Sequence, residues 1–470
     1  MLLRDLLATA QGRPGLSSLL LDGPDDVEVT GLALDSRQIS PGTLFCAVPG
    51  AVTDGHDHAA AAVAAGAVAI LCERPLDLGV PELRVASVRA AMGPLASALH
   101  GDPSSHLEVV GVTGTNGKTT ITQLLKAVLD AAGHPCDVIG TLTGVRTTPE
   151  APELQAQLAA SAARGRQAVT LEVSSHSLVQ HRVDGTRFRV VAFTNLSHDH
   201  LDFHGSMEAY FQAKARLFEP DLADRAVVCV DDAHGRLLRD AAQVPTVGYS
   251  IDDATEVAFD AAGTSFTWRG VAMRTGLAGR FNLANAIGAA TIAAELGLAP
   301  EAIAAGLAAA GPVAGRFELV DRGQPYLVVV DYAHTPDGLV QVLGAARELA
   351  ATGRVLVVFG CGGDRDAAKR PLMGEAAAAG ADVVIVTSDN PRSEDPHAII
   401  EAVLHGFPAD ATPIIEPDRR AAIARAVALA APGDVLVIAG KGHETTQTIG
   451  ATVLPFDDRT VVAEAIGAAS

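Results

Sequence analysis

Residues 113–120, Thr-Gly-Thr-Asn-Gly-Lys-Thr-Thr, decide the fold of this chain. They follow the apolar run 107–113, which predicts a buried strand, and precede 121–132, where apolar residues at helical spacing predict a helix. Glycines between a strand and a helix let backbone N–H groups approach phosphate oxygens at the positive end of the helix. Lys118 would then neutralise the β- and γ-phosphates, and the Thr119 hydroxyl would ligate Mg²⁺. A glycine-rich turn before a structural helix is the alternative, but Lys-Thr-Thr at the helix start favours a phosphate loop.

Strands and helices alternate on both sides of this loop. Strands are predicted at 168–173, 189–194, 326–331, 355–359, 383–387 and 435–439, and helices at 337–350, 371–379, 397–405 and 419–431. Such alternation predicts parallel sheets covered by helices on both faces. Turn-forming residues at 99–105 and 312–316 indicate linkers. We therefore predict an α/β fold of three domains: residues 1–100, a central phosphate-loop ATPase domain with a mostly parallel sheet at 101–312, and a Rossmann-like domain at 313–470.

Composition narrows the function classes. The net charge of −20 over 470 residues argues against a nucleic-acid partner held by a broad basic surface. No secretory signal and no apolar run long enough to span a bilayer is visible, and five scattered cysteines fit reduced thiols in a cytoplasmic protein. Only five of 35 basic residues are lysines, which indicates that lysine is kept where an amine is needed. These are Lys118, Lys126, Lys214, Lys369 and Lys441.

A second group of polar residues follows two predicted strands. Glu172 ends the strand 168–173, and a run of His, Asp and Asn that includes His198, His200 and His204 follows the strand 189–194. The carboxyl ends of parallel strands bind ligands in open α/β sheets, and Glu, hydroxyl and water suit Mg²⁺. Structural histidines are the alternative. Lys214 lies on a predicted amphipathic helix, where a surface lysine is the alternative to a functional one.

The loop at 113–120 resembles the shortened phosphate loop of the Mur ligases and the folylpolyglutamate synthetases, and the similarity covers essentially the whole chain. The resemblance implies an enzyme that converts a carboxylate to an acyl phosphate with ATP and Mg²⁺, and then lets an amine displace the phosphate. It implies catalytic roles for Lys118, Lys214 and His200. It implies ATP binding by Gly114, Thr115, Asn116, Gly117, Lys118, Thr119, Thr120, Asn282, Asn285, Arg316 and Asp331. It implies metal binding by Thr119, Glu172, His200 and an N-carboxylated Lys214.

The residues alone leave an alternative for two of these positions. For Arg316 it is a surface charge in the linker, and for Asp331 it is a cap of the helix that follows. The Asp-Asn-Pro-Arg stretch at 389–392 has a turn as its alternative, although its place after a buried strand favours binding.

Further motifs resemble the family member that adds the third residue of the peptidoglycan stem peptide. The resemblance implies contacts to a UDP-N-acetylmuramoyl dipeptide from Leu34, Ser36, Thr147, Thr148, Ser174, Gln180 and Arg182. It implies an amino-acid pocket of Arg370, Asp389, Asn390, Pro391, Arg392, Gly440 and Glu444. At position 146 this chain carries Arg where better-known relatives carry Asn.

The predicted function is therefore a monomeric, cytoplasmic ligase that adds meso-2,6-diaminopimelate to UDP-N-acetylmuramoyl-L-alanyl-D-glutamate. The Asp-Asn-Pro-Arg stretch at 389–392 is typical of diaminopimelate-adding enzymes. The alternatives are L-lysine or L-ornithine as the added amino acid, or a regulatory phosphate-loop NTPase without ligation. Against the NTPase, the chain has no guanine-reading Asn-Lys-x-Asp motif.

Overall fold

The computed structural model describes residues 1–50 and 53–469 and begins with a unit built on a five-stranded sheet. Its elements are α1 Leu3–Ala10, β1 Leu20–Asp22, β2 Gly31–Ala33, β3 Thr43–Cys46, α2 Ala59–Ala64, β4 Ala69–Cys72, β5 Glu82–Arg84 and α3 Val88–Leu99. The strand order is β1-β5-β4-β3-β2, and neighbours run parallel except for β1 and β5.

The second unit contains a six-stranded sheet with the order β11-β10-β9-β6-β8-β7, in which all neighbours are parallel. Its elements are β6 Glu108–Thr113, α4 Lys118–Ala131, β7 Cys136–Ile139, α5 Ala151–Ala163, β8 Ala168–Glu172, α6 Ser175–Val179, β9 Val190–Phe193, α7 Leu201–His204, α8 Met207–Ala215, β10 Ala226–Cys229, α9 Ala233–Ala241, β11 Thr246–Tyr249, β12 Ala254–Asp260, β13 Gly263–Trp268, β14 Val271–Thr275, α10 Arg280–Glu295 and α11 Pro300–Ala309. Strands β12, β13 and β14 form a separate antiparallel sheet.

The third unit has a six-stranded sheet with the order β15-β16-β20-β17-β18-β19, parallel except for β15. Its elements are β15 Glu318–Leu319, β16 Leu327–Asp331, α12 Pro336–Ala350, β17 Val355–Phe359, α13 Lys369–Gly380, β18 Val383–Val386, α14 Pro396–Leu404, β19 Ile414–Ile415, α15 Arg419–Leu429, β20 Val435–Ala439, β21 Thr446–Ile449, β22 Thr452–Pro455 and α16 Asp458–Ala469. Strands β21 and β22 form a hairpin beside the sheet.

Both faces of the central sheet are buried, as its apolar strands require. Val110 and Val112 of β6 face one core that includes α4 and α10, whereas Val109 faces a second core that includes Leu154 and Phe188. Because helices cover both faces, the positions open to a ligand are at the carboxyl ends of the strands, where the polar residues lie. The α/β fold with mostly parallel sheets is confirmed.

Three details differ from the expectation. Helix α4 begins at Lys118, three residues earlier than its apolar spacing indicates, because Gly117 rather than an apolar residue ends the loop. The antiparallel sheet β12–β14 and the hairpin β21–β22 were not expected. No strand of the described residues is shared between sheets. The domain boundaries after residues 100 and 312 stay a prediction.

Two further observations concern the chain as a whole. Within the described ranges, no helix is both long and apolar enough to cross a membrane. All five cysteines are buried and unpaired.

A fully buried ion pair fastens the last helix to the third sheet. The Arg419 guanidinium donates to both carboxylate oxygens of Asp458, at 2.8 and 2.7 Å, and neither side chain is exposed. The same guanidinium donates to the carbonyl oxygens of Ser388, which follows β18, and Ala439, the last residue of β20. One cation therefore holds two strand ends and the start of α16 together.

Asp458→Ala should lower the free energy of unfolding of the third unit by about 3–5 kcal/mol, because it leaves the Arg419 charge buried without its partner. Urea unfolding of the full chain followed by circular dichroism measures this loss. Arg420→Ala is the control, since it removes an ion pair with Glu464 in which both side chains are more than half exposed. Equal losses in the two variants would contradict the prediction.

Candidate active site

A cavity of about 560 Å³ lies between the second and third units. The second unit contributes the phosphate loop and the ends of β8 and β9, and the third contributes residues that include Arg316, Asp331 and His334. A direct hydrogen bond of 3.3 Å from Asn116 to Asp337 crosses the same cleft. The predicted phosphate-loop residues therefore face side chains that are about 200 positions away in the chain.

The phosphate loop is shaped by two glycines with positive φ angles. Gly117, the residue before α4, has φ of 88°, and a side chain there would collide with the amide oxygen of Asn285. A side chain at Gly114 would collide with the hydroxyl of Thr194. Lys118 folds back over the loop, where its ammonium donates to the carbonyl oxygens of Gly114 and Thr115 at 2.8 and 2.9 Å. Burial lowers the pKa of Lys118.

The carboxylate of Glu172 is the centre of the site and is almost wholly buried. One oxygen accepts from the Thr119 hydroxyl at 2.9 Å and from the Thr141 hydroxyl at 3.1 Å, and the other accepts from the Thr141 backbone at 2.9 Å. Thr148 donates to the backbone carbonyl of the same residue at 2.8 Å. Glu172 thus joins the phosphate loop to the segment that carries Thr147 and Thr148.

Arg316 lies in the cleft and is not a linker surface charge. Its guanidinium donates to the Thr119 hydroxyl at 3.1 Å and lies 4.4 Å from the ring centre of Tyr332. The third unit therefore brings a cation to the phosphate loop, which the sequence resemblance implies.

Asp331 also lines the cavity, and its carboxylate accepts from the backbone N–H groups of Phe317 and Ala333, both at 2.7 Å. Desolvation raises the pKa of Asp331. The alternative that Asp331 caps the next helix is wrong, because Thr335 caps α12 through its side chain.

Of the two asparagines on α10, only Asn285 lines the cavity. Asn282 is fully buried, and its amide donates to the carbonyl of Ala278 at 2.9 Å and accepts from Asn285 at 3.2 Å. The expected direct contact of Asn282 with ATP is therefore corrected: Asn282 supports Asn285, which faces the cleft.

The three histidines of the run at 198–204 have different surroundings. His200 lines the cavity, has φ of 55° and lies 3.2 Å from the Asp199 carboxylate. Desolvation lowers the pKa of His200 to about 3, so its imidazole is neutral and able to ligate a metal. His198 pairs with Asp366 of the third unit at 3.1 Å, and His204 bonds to Ser175 at 2.9 Å.

Asp199 faces the third unit as well, with Lys369 and His334 each 3.8 Å from its carboxylate. The described residues contain no group of three or more His, Cys, Asp or Glu side chains that could hold a metal ion. Mg²⁺ in phosphoryl-transfer sites usually takes most of its ligands from phosphate and water.

Lys214 is not a surface lysine, because only 1% of the residue is exposed. Its ammonium donates to the Gly114 carbonyl at 2.9 Å and lies 4.5 Å from the ring centre of Tyr210. Desolvation holds the pKa of Lys214 well below its ordinary value. The expected amphipathic helix is corrected in one respect: the buried face of α8 carries Lys214 beside Tyr210 and Phe211.

The residues expected to contact the UDP-linked substrate form two groups. In the second unit, Arg182 pairs with Glu150 at 2.9 Å and donates to Gln180 and to the Thr148 carbonyl. The Ser174 backbone N–H donates to the Thr148 hydroxyl. The other group, Leu34 and Ser36, is half-buried in the first unit and does not line the cavity. Arg146 is exposed.

The predicted amino-acid pocket lies at the ends of β18 and β20. Asn390 donates to the Glu444 carboxylate at 2.7 Å, and Gly440 follows β20 directly beside Asp389. Arg370 pairs with Glu394 at 2.8 Å. Arg392, after the buried Pro391, donates to the Gly363 carbonyl at 2.6 Å.

Tyr210 lies at this site but outside every motif of the sequence analysis, and no pattern in the sequence marks it. Asp199, Tyr332, Lys369 and Lys441 lie within the motifs, but no contact was predicted for them individually.

The fold and this cleft define an α/β protein with a phosphate loop that faces a cavity between its second and third units. Three family models match the chain in order. They are the Mur ligase family catalytic domain at 28–100, the Mur ligase middle domain at 112–293, and the Mur ligase glutamate ligase domain at 315–442.

Individual relatives agree with the family models. A UDP-N-acetylmuramoyl-L-alanyl-D-glutamate–2,6-diaminopimelate ligase from Streptomyces coelicolor is 46% identical, with 94% of each chain covered. A protein of the same name from Syntrophomonas wolfei is 44% identical, with 95% of this chain and 96% of that protein covered. A solved structure of that name is 37% identical with a TM-score of 0.68, covering 95% of this chain and 97% of its own.

The chain belongs to the Mur ligase family, and it is an enzyme of the ligase class. The alternative of a regulatory NTPase without ligation is therefore wrong.

Lys118→Ala should lower kcat by at least about 100-fold with little change in folding, because it removes a cation from the transferring phosphate. ADP release in the presence of all substrates measures kcat, and circular dichroism checks the fold. Lys126→Ala is the matched control, since Lys126 lies on the same helix and pairs with Asp130 at the surface. A Lys118→Ala enzyme with near wild-type turnover would show that the loop does not bind the transferred phosphate.

Proposed function

We propose that this enzyme uses ATP to join meso-2,6-diaminopimelate to UDP-N-acetylmuramoyl-L-alanyl-D-glutamate in the synthesis of peptidoglycan precursors. The observation that carries the proposal is the cleft itself: Arg316 reaches from the third unit to Thr119 of the phosphate loop. The predicted amino-acid pocket belongs to the same unit as Arg316. We further propose that the enzyme is a monomer and that it acts in the cytoplasm. Light scattering of the purified chain tests the oligomeric state.

The proposed reaction has two steps. The D-glutamate carboxylate attacks the γ-phosphorus of ATP, ADP leaves, and an acyl phosphate forms. The amine of the diamino acid then attacks the acyl carbon, inorganic phosphate leaves, and the amine loses a proton. In this proposal Lys118 and Arg316 hold the phosphoryl oxygens during the first step, which is supported by their contacts with Thr115 and Thr119 of the phosphate loop.

The residues around Glu172 fit a magnesium ion that arrives with ATP. Thr119 offers a hydroxyl, Glu172 a buried carboxylate, and His200 a neutral imidazole facing the same cavity. A bound Mg²⁺ would neutralise charge on the phosphates. The chain's own part is to hold these three donors on separate elements and to keep the carboxylate away from bulk water.

The proposed carbamate on Lys214 is supported by the state of its amine. Carbon dioxide adds to an unprotonated amine, and desolvation of Lys214 favours that form. The addition forms a C–N bond and releases one proton, which converts the neutral amine into an anion. The amine lies under the phosphate loop at Gly114, so the carbamate would place negative charge beside Lys118 and the metal.

The identity of the added amino acid is tested by competition. Diaminopimelate, lysine and ornithine are offered at equal concentration with the UDP-linked dipeptide and ATP, and the products are separated by mass. We expect the diaminopimelate product to dominate. Dominance of the lysine or ornithine product would overturn the specificity and leave the ligase activity standing.

Lys214→Ala should be nearly inactive, because the substitution removes the amine that takes up carbon dioxide. Small carboxylates such as acetate should restore part of the rate. Restoration is measured against Lys118→Ala, which the same carboxylates should not rescue. A ¹³C resonance of a carbamate, present in the wild type labelled with ¹³C-bicarbonate and absent in Lys214→Ala, gives a second measurement. Absence of that resonance from active wild-type enzyme would refute the carbamate.

Arg392→Ala should raise the KM for diaminopimelate about thirtyfold or more while leaving the KM for ATP nearly unchanged, since the half-buried cation that pairs with the distal carboxylate is lost. Initial rates at varied concentrations of each substrate measure both constants. Arg365→Ala is the control, because Arg365 is an exposed arginine that follows β17 in the same unit. Equal effects of the two variants would remove Arg392 from the pocket.

A further inference from the structure

Lys441 is a fully buried lysine to which the proposed mechanism gives no role. It stands between Gly440 and Gly442 after the end of β20, and none of its side chain is exposed. A buried ammonium needs close partners to offset its lost hydration. All of its partners lie in the predicted amino-acid pocket or at its border.

The ammonium of Lys441 touches four groups. It lies 3.1 Å from the Glu444 carboxylate and 3.8 Å from the Asp389 carboxylate. It donates to the Thr446 carbonyl at 2.6 Å and to the Asn390 amide oxygen at 3.4 Å. Three of these four residues belong to the pocket itself.

These contacts fix how the pocket presents its polar groups. The Asn390 amide oxygen accepts from the Thr448 backbone at 3.0 Å as well as from Lys441, so the amide nitrogen must point the other way. That nitrogen donates to the Glu444 carboxylate at 2.7 Å. Glu444 is therefore held from two sides, by an amide and by an ammonium.

The charges around Lys441 are unequal. Asp389 and Glu444 carry two negative charges when ionised, and Lys441 carries one positive charge. The neighbouring buried pair of Arg419 and Asp458 adds no net charge, so this end of the pocket has one negative charge in excess. Arg392 donates to a backbone carbonyl and, among the described residues, forms no ion pair. The pocket thus offers one unbalanced anion and one unbalanced cation.

We propose that Lys441 is a positioning residue that sets amino-acid specificity, by orienting Glu444 and Asn390 and by limiting the negative charge of the pocket to one. This inference rests on the proposed ligase function. A side chain that ends in an ammonium and a carboxylate together matches one excess anion and one excess cation. Without the Lys441 charge the acidic end would carry two excess charges, and a side chain ending in an ammonium alone would be favoured.

A purely structural role is the competing explanation, because Lys441 also binds the carbonyl of Thr446 at the start of the hairpin β21–β22. The hairpin also holds Arg392, whose backbone N–H donates to the Thr448 carbonyl at 3.0 Å, so loosening the hairpin would lower the preference for diaminopimelate as well. Only the charge limit predicts that removing one negative charge restores that preference. The ratio of kcat/KM for diaminopimelate to kcat/KM for lysine, measured with and without that removal, therefore separates the two explanations.

The experiment compares full-length wild type, Lys441→Met and the surface control Lys126→Met. In Lys441→Met, kcat/KM for diaminopimelate should fall about thirtyfold, as expected when one partner of a buried charge cluster is removed. The kcat/KM for lysine should fall much less, so the ratio should drop by about tenfold or more. The KM for ATP should stay near that of the wild type. Where lysine turnover is too slow to follow, calorimetric binding of both amino acids gives the same ratio.

A second variant tests the charge argument by itself. Asp389→Asn in the Lys441→Met background removes one negative charge and returns the pocket to a single excess anion. The preference for diaminopimelate should then recover in part, even if overall activity stays low. A double variant with the same altered preference as Lys441→Met would overturn the charge limit.

The outcomes also separate this inference from the proposed function. Wild type that is inactive with diaminopimelate but active with another amino acid would contradict the proposed function. Wild type that prefers diaminopimelate, with an unchanged ratio in a folded Lys441→Met enzyme, would contradict only the role of Lys441. Circular dichroism and the melting temperature identify whether each variant is folded, and Lys441→Gln replaces Lys441→Met if the latter is not.

Discussion

The buried carboxylate of Glu172 is the interaction on which the site depends. An anion removed from water must be satisfied by donors, and here these come from Thr119 on the phosphate-loop helix and Thr141 after β7. Satisfying one carboxylate therefore fixes the distance between the loop expected to bind phosphate and the segment expected to bind the UDP-linked substrate. Arg316 binds the same Thr119 hydroxyl from the third unit, which extends the network across the cleft.

In the third unit, buried cations rather than a buried carboxylate connect separate segments. Arg419 joins the ends of β18 and β20 through the carbonyl oxygens of Ser388 and Ala439, and Lys441 lies in the pocket beside Glu444. Each cation contacts groups that are far apart in the chain, so both strand ends must be in place before either cation is satisfied. Buried charge clusters of this kind add specificity of arrangement rather than large net stability.

Strands buried on both faces are the part of the fold that the sequence predicts best. The ranges 355–359 and 435–439 coincide with β17 and β20, because continuous β-branched runs leave little ambiguity. The sequence does not predict the sheet β12–β14, since its outer strands β12 and β14 are partly exposed and lack a clear apolar pattern. At the site, the loop and strand-end residues could be predicted from local patterns. The burial of Lys214 and the support of Asn285 by Asn282 depend on packing between distant elements, which local patterns do not record.

The uneven burial of the lysines has a consequence for handling the protein. Lys214, Lys369 and Lys441 are buried, whereas the side chain of Lys126 is 38% exposed. An acylating dye, biotin ester or activated resin attacks accessible amines, so in the folded enzyme Lys126 is the lysine that it would reach most readily. Lys118 is half-buried in the cleft, and the three buried amines would stay unmodified. Loss of that selectivity on warming would then report that the units have opened.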